Sequence, residues 1–423
     1  MKNRKIWATM LAMGFGMSIA LSNNVQQLDL HSESVGSLSC EYLENPQGID
    51  VQAPRLSWKL SHGGSGEENR GDLKRLGDRD KLFVAGHHDQ AEALDSGGSK
   101  DSVDTTIVNG TDWMDTDSNP IVAHEGEIAR FGDTFYWYGS SYANNPKGRF
   151  RMDAGPVWNG MQVYRSSDLK NWTYAGVCLP RPESGFGKVG ATGRGHVMYN
   201  EKTKKYVMWY RWFVAMPASF LCVATADHPE GPFTPHGPRQ MGTSTGFGSD
   251  MNVFQDDDGK GYVIYCDHNK PNAGPGGQWR YAIRIDSLSD DYLTSNREGG
   301  LVFDRGCEAP AMVKHRGKYI AVASGVHGWA GSDTKCATAD SPLGAWTKQA
   351  DISEQRTWGS QVTDLIYLKE SDTVMALCDQ WWNPDRSDIE KSRFLFLPLH
   401  LDENTGKVKM EYREKWHPLR PQK

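Results

Sequence analysis

Five times along this chain a polar residue opens a short apolar run, and some eight to eleven residues later a tight turn leads into a second, aromatic-rich run. The openers are Glu125, His196, Asp250, Glu308 and Gln361. Glu308-Ala309-Pro310-Ala311-Met312-Val313 is followed by Arg316-Gly317 and then Tyr319-Ile320-Ala321-Val322. Asp250-Met251-Asn252-Val253-Phe254 is followed by Asp256-Asp257-Asp258-Gly259 and then Tyr262-Val263-Ile264-Tyr265. Counting eight residues from Glu125, Asp250 and Glu308 lands on Asp133, Asp258 and Arg316, each at a turn. This is the pattern of antiparallel hairpins with a polar first residue.

A second signal sets the period. An Asp at the end of a strand recurs at Asp168, Asp227, Asp286, Asp340 and Asp402, spaced 59, 59, 54 and 62 residues apart. The wording around it repeats too: Ala224-Thr225-Ala226-Asp227 through Gly231-Pro232-Phe233-Thr234 matches Ala337-Thr338-Ala339-Asp340 through Gly344-Ala345-Trp346-Thr347. About 60 residues suits a four-stranded blade with its loops. A β-sandwich would not repeat words at a fixed interval. The expected fold is therefore all-β, a five-bladed β-propeller over residues 113–423.

Upstream the character changes. Lys2, Arg4 and Lys5 precede an apolar run from Ile6 to about Leu21, which ends in small residues and reads as a secretory signal over 1–22. The run is slightly short for a membrane anchor, so a secreted or periplasmic protein is expected. Residues 23–112 read as a short β segment and a polar linker, with stretches such as His62-Gly63-Gly64-Ser65-Gly66 and Asp95-Ser96-Gly97-Gly98-Ser99. The net charge of −6 gives nothing to attract nucleic acid. Seven scattered Cys lack any paired spacing, and Cys222, Cys266, Cys336 and Cys378 sit in strand-like runs, so buried thiols are expected rather than a disulfide framework. The 15 Trp and 16 Tyr fit a sugar-stacking surface and a propeller core equally well.

In a propeller the innermost strands run along the axis and their first residues gather at one mouth, so the five openers should meet in one pocket. Three of them are carboxylates, the groups that glycoside hydrolysis needs. Glu127 lies two residues beyond Glu125 on the same strand face and could substitute for it. Arg194 and Arg211 could clamp hydroxyls or hold a carboxylate ionised. Trp329, Trp381 and Trp382 are candidate stacking platforms. Asp256-Asp257-Asp258-Gly259 lacks the distal Glu of a calcium loop and reads as a hairpin turn. No cofactor is expected.

The block Asp115 to His124, followed by Gly132-Asp133-Thr134-Phe135-Tyr136-Trp137-Tyr138-Gly139, resembles glycoside hydrolase family 43, nearest the branch that holds exo-β-1,3-galactanases. Ser249-Asp250-Met251, Glu308-Ala309-Pro310-Ala311 and Gly359-Ser360-Gln361 are similar to further motifs of that branch. The resemblance implies an inverting enzyme with Glu308 as acid, Asp250 as the group that raises the acid's pKa, Glu125 as base and Gln361 as the residue that positions water. The chain departs from the branch in carrying Glu125 and in placing Ser140, not Glu, after Trp137-Tyr138-Gly139. His196 is read as a sugar-hydroxyl ligand or, as in some family members, part of an axial ion site. Arg194, Trp329, Glu127 and Trp381 complete the expected sugar-binding set. Residues 38–60 resemble the opening strands of the N-terminal module of family 78 rhamnosidases, with none of that family's catalytic domain. The expectation is a monomeric exo-acting hydrolase that releases galactose- or arabinose-type sugars from plant galactan or arabinogalactan, with no membrane contact in its mature form. The rival is a non-catalytic carbohydrate-binding propeller.

Overall fold

The computed structural model describes residues 33–40, 43–44, 56–62, 104–142, 158–183, 190–215, 218–243, 247–267, 281–327, 331–348, 350–380 and 389–421. The N-terminal apolar run, most of the polar linker, Trp329, Trp381 and Trp382 lie outside them. The chain forms two compact units, Met1–Gly97 and Gly98–Lys423. In the first, Glu33–Cys40 pairs antiparallel with Leu43–Glu44 on one side and Leu56–His62 on the other.

The second unit holds five four-stranded antiparallel sheets, each a meander in which sequence neighbours pair. The inner strands of blades one to five are His124–Phe131, Ala191–Asn200, Met251–Gln255, Cys307–His315 and Gln361–Leu368. They touch in that order, and the fifth touches the first, so the ring is closed. The turns fall where the sequence puts them. Gly132-Asp133 joins the first hairpin. In blade four Arg316 and Gly317 carry φ of 50° and 75°, the left-handed conformation that tight hairpins require. Lys314 binds Asp256 and Asp257 across the Asp-rich turn, which is an ordinary hairpin.

The aromatic wealth goes between blades. Apolar clusters fill each of the interfaces one–two, two–three, three–four, four–five and five–one. The last is the most aromatic: Trp113, Trp137, Trp172, Phe394 and Phe396 pack edge to face. Such pairs add about 0.5–1.5 kcal/mol beyond their buried area. Cys178, Cys222, Cys266, Cys307, Cys336 and Cys378 are free and buried.

Ring closure is non-covalent. Ile107–Val108 pairs with Lys415–Trp416, so residues ahead of Trp113 belong to the compact unit. Asn109 locks this clasp to blade five: its Nδ2 donates to Phe396 O and Arg413 O, and its Oδ1 accepts Phe396 N. Trp416 Nε1 donates to Phe396 O as well. Asn109→Ala strands Phe396 N in a buried site and takes a donor from Arg413 O, while Phe396 O keeps Trp416 Nε1, at about 1–3 kcal/mol for each buried group left unpaired. Denaturant unfolding should show a loss of at least about 2 kcal/mol; a change below about 0.5 kcal/mol would mean that the clasp does not hold the ring.

Candidate active site

The mouth is built from bulged strands. Register shifts fall between His124 and Glu127 in blade one, between Glu308 and Ala311 in blade four, and between Val362 and Asp364 in blade five. A further shift lies opposite Gly193–His196 in blade two. A bulge frees a residue from the ladder and re-aims its side chain. Glu125, Arg194 and Ala309 take left-handed φ of 52°, 56° and 54° at these bulges. In blade one Asp379 holds the bulge: its Oδ2 accepts Glu125 N at 2.6 Å and its Oδ1 lies 3.0 Å from His124 Nδ1. Burial pushes the His124 pKa down, but Asp379 and Glu390 outweigh it and leave it raised.

The re-aimed side chains converge. Arg211, on the second strand of blade two, donates from Nη2 to Glu125 Oε2 at 2.7 Å and from Nη1 to Asp250 Oδ1. Arg194 Nη2 lies 3.8 Å from Asp250 Oδ2 and donates to Gln361 Oε1 at 3.1 Å. Gln361 Nε2 donates to Glu308 Oε1 at 3.3 Å and to Ser324 Oγ at 3.0 Å. Glu125, Asp250, Glu308 and Gln361 thus belong to one network, as the sequence pattern requires, and both arginines join it. Glu125 reaches Arg211 by lying against the backbone of blade two: a Cβ on Gly193 would stand 2.0 Å from Glu125 Oε2. Glycine at 193 is therefore a condition of this geometry.

Glu308 is the odd member electrostatically. Burial, and then the neighbouring Asp250 charge, push its pKa up to about 8, against the pull of Arg194, Arg211 and the Gln361 hydrogen bond. A carboxyl with that pKa holds its proton at neutral pH and can give it away. Asp250 is paired with Arg211, so its negative charge is maintained beside the acid.

Blade two departs from the expected register. Arg194 reaches the mouth layer, and His196 falls to a second layer one step down the axis, because the left-handed Arg194 shifts the ladder. His196 is fully buried, with ring nitrogens 3.0 Å from Arg194 O and 3.3 Å from Thr363 O. Glu127 and Asp364 sit in the same layer, and one ligand-type atom from each of these three residues lies within 4.8 Å of the others. A cation could share that donor set, and three of its carboxylate oxygens also accept hydrogen bonds. Val197 N donates to Glu127, and Ile128 N and Asn252 Nδ2 donate to Asp364. Burial, with Asp364 adding to it, raises the Glu127 pKa well above the usual range, and its bond from Val197 N ties blades one and two together. Glu127 is therefore placed below the mouth network and not beside Glu125 in it.

Sequence reading misses Asp364, Asp379 and Asn252. A signal exists for two of them: Asn252 follows Asp250 by the same two-residue step that separates Glu125 from Glu127, and Asp364 follows Gln361 by that step plus one bulge residue. Ser140, where the galactanase branch often carries Glu, is buried and donates to Thr192 O at 2.6 Å.

Known proteins share this fold. The model of glycosyl hydrolases family 43 matches residues 118–365, more than half of the chain. The model of the Rha78A-like N-terminal immunoglobulin domain matches residues 35–71. An exo-β-1,3-galactanase from Phanerochaete chrysosporium, solved with galactose, is 30% identical over 74% of this chain and 68% of its own, with a TM-score of 0.63. The exo-β-1,3-galactanase of Clostridium thermocellum is 27% identical over 74% of this chain and 66% of its own, with a TM-score of 0.63. A family 43 β-1,3-galactosidase solved with galactodeoxynojirimycin is 28% identical over 74% of this chain and all of its own, with the same TM-score. No curated protein sequence matches the chain. Propeller, carboxylate network and family model agree: the chain belongs to glycosyl hydrolase family 43 and is a glycoside hydrolase.

Proposed function

We propose that this protein removes terminal galactose from β-1,3-linked galactan with inversion at the anomeric carbon. The observation that carries the reading is a carboxyl at Glu308 with a pKa of about 8, in a pocket where Arg211 pairs with two other carboxylates. The galactanase and galactosidase relatives support galactose over arabinose as the sugar.

In the proposed reaction water attacks the anomeric carbon while Glu125 takes its proton. Arg211 engages Glu125 through Oε2, and among the described residues Oε1 accepts no hydrogen bond. Glu308 gives its proton to the glycosidic oxygen as the carbon–oxygen bond breaks, and the sugar leaves as the inverted hemiacetal. Asp250 keeps Glu308 protonated until that moment. Arg194 and Arg211, both buried, fix the carboxylates. Gln361 donates to Glu308 and so acts on the acid. The basic and then apolar N-terminus supports export of the chain to the medium or periplasm, where such a polymer would be met.

Five outcomes test this reading. Proton NMR during digestion of β-1,3-galactobiose should show the α-anomer of galactose first, and Glu308→Gln should lower kcat/KM by about 10²–10⁴-fold. If oligosaccharide binds but no member of a galactosyl, arabinofuranosyl and xylosyl panel is cleaved, the propeller is a binding module. The alkaline limb of kcat/KM should lie near pH 8, because activity needs Glu308 protonated. Asp250→Asn removes the like charge, lowers the Glu308 pKa and should move that limb to lower pH; an unmoved limb would detach Asp250 from the acid. Gly193→Ala should displace Glu125 and reduce kcat by about 10²-fold with the limb unchanged, whereas wild-type kcat would show that Glu125 is not the base.

A further inference from the structure

The side-chain amide of Gln361 lies between a cation and the acid, and its orientation is decided by chemistry. A guanidinium offers donors only, so the Gln361 atom 3.1 Å from Arg194 Nη2 is the carbonyl oxygen. Nε2 must then face the other way, where its two hydrogens meet Ser324 Oγ at 3.0 Å and Glu308 Oε1 at 3.3 Å. Ser324 agrees with this direction, since its hydroxyl accepts from Gln361 and donates onward to Glu308 O at 3.3 Å. Every donor in the series finds an acceptor only in this sense. With Glu308 Oε1 accepting from an amide N–H, Oε1 is favoured as the carbonyl oxygen and the proton as sitting on Oε2.

We propose that Arg194 is a positioning residue for the acid: it locks the Gln361 amide so that Glu308 holds its proton on Oε2, ready for the departing oxygen. The proposal rests on the reading of Glu308 as the general acid and adds to it. Arg194 is 1% exposed and also bonds Val362 O at 3.3 Å, so its guanidinium cannot follow a moving substrate. Without it the amide is free to flip. A flipped Gln361 would turn its carbonyl towards Glu308 and draw the acid's proton onto Oε1, away from the substrate. Gln361 then serves the acid side of the reaction, and the base side is left to Glu125.

Leaving-group dependence separates this role from a structural one. An aryl galactoside whose leaving group departs unprotonated does not need the acid; a disaccharide does. Arg194→Met and Gln361→Leu should each reduce kcat on β-1,3-galactobiose by about 10–10²-fold, a part of the roughly 10²–10⁴-fold that general acid catalysis supplies. On 2,4-dinitrophenyl β-galactoside each should lose at least about tenfold less than on the disaccharide. The double variant should be no worse than either single one, since the two residues act as one unit. Arg194→Lys, which keeps a donor and the charge, should recover part of the loss and stands in if Arg194→Met fails to fold. Equal losses on both substrates, or additive losses in the double variant, would overturn the proposal. If Glu308→Gln itself is not rescued on the dinitrophenyl substrate, the fault lies with the acid assignment and not with Arg194.

Discussion

One buried guanidinium sets the terms for the pocket. Arg211 binds Glu125 with one nitrogen and Asp250 with the other, so two carboxylates from blades one and three share a cation from blade two. Removing one partner from a buried pair costs about 3–5 kcal/mol, because the other charge is left without compensation. Arg194 supplies a second cation, 3.8 Å from Asp250. Two carboxylates and two guanidiniums balance. Glu308 is the third carboxyl: burial, and then the Asp250 charge beside it, raise its pKa, and among the described residues it makes no ion pair of its own. The chemistry of the site is thus a matter of stoichiometry in a place where water does little screening.

That balance depends on the propeller holding its inner strands in register. The second polar layer does part of this. Asp364 accepts from blades one and three, Glu127 from blade two, and His196 meets blade five. Asp379 ties blade five to the Glu125 bulge. Apolar clusters between blades supply the bulk stabilisation, and the clasp at Asn109 keeps the first and last blades together. At the mouth, left-handed Glu125 and Arg194 are held by bonds to blade five, which is how unfavourable backbone persists there.

Much of this is legible in the amino-acid sequence. The repeat of hairpins and closing Asp residues gives the blade count, because each blade is a local meander whose turns have their own chemistry. Glu125, Asp250, Glu308 and Gln361 are legible as a set because each opens an inner strand. Arg194 and His196 are harder to place. A bulge inserts a residue without any change in composition, so their order along the axis depends on one φ angle that the sequence does not announce. Arg211 is visible only as a candidate, since it reaches the site from the second strand of its blade. Asp379 likewise comes from a second strand, at a position where a polar residue usually marks only the strand end. The partner of Gly193 is invisible, because close approach to Glu125 is a fact of packing between blades.

The account stands or falls on the protonation of Glu308. Infrared difference titration of the wild type against Glu308→Gln would read it without any substrate. A carboxylic-acid carbonyl band that is present at neutral pH, absent from the variant and lost as pH rises through about 8 is the predicted result. If the difference spectrum shows only carboxylate at neutral pH and above, Glu308 is ionised in the resting protein and the charge balance drawn here is wrong.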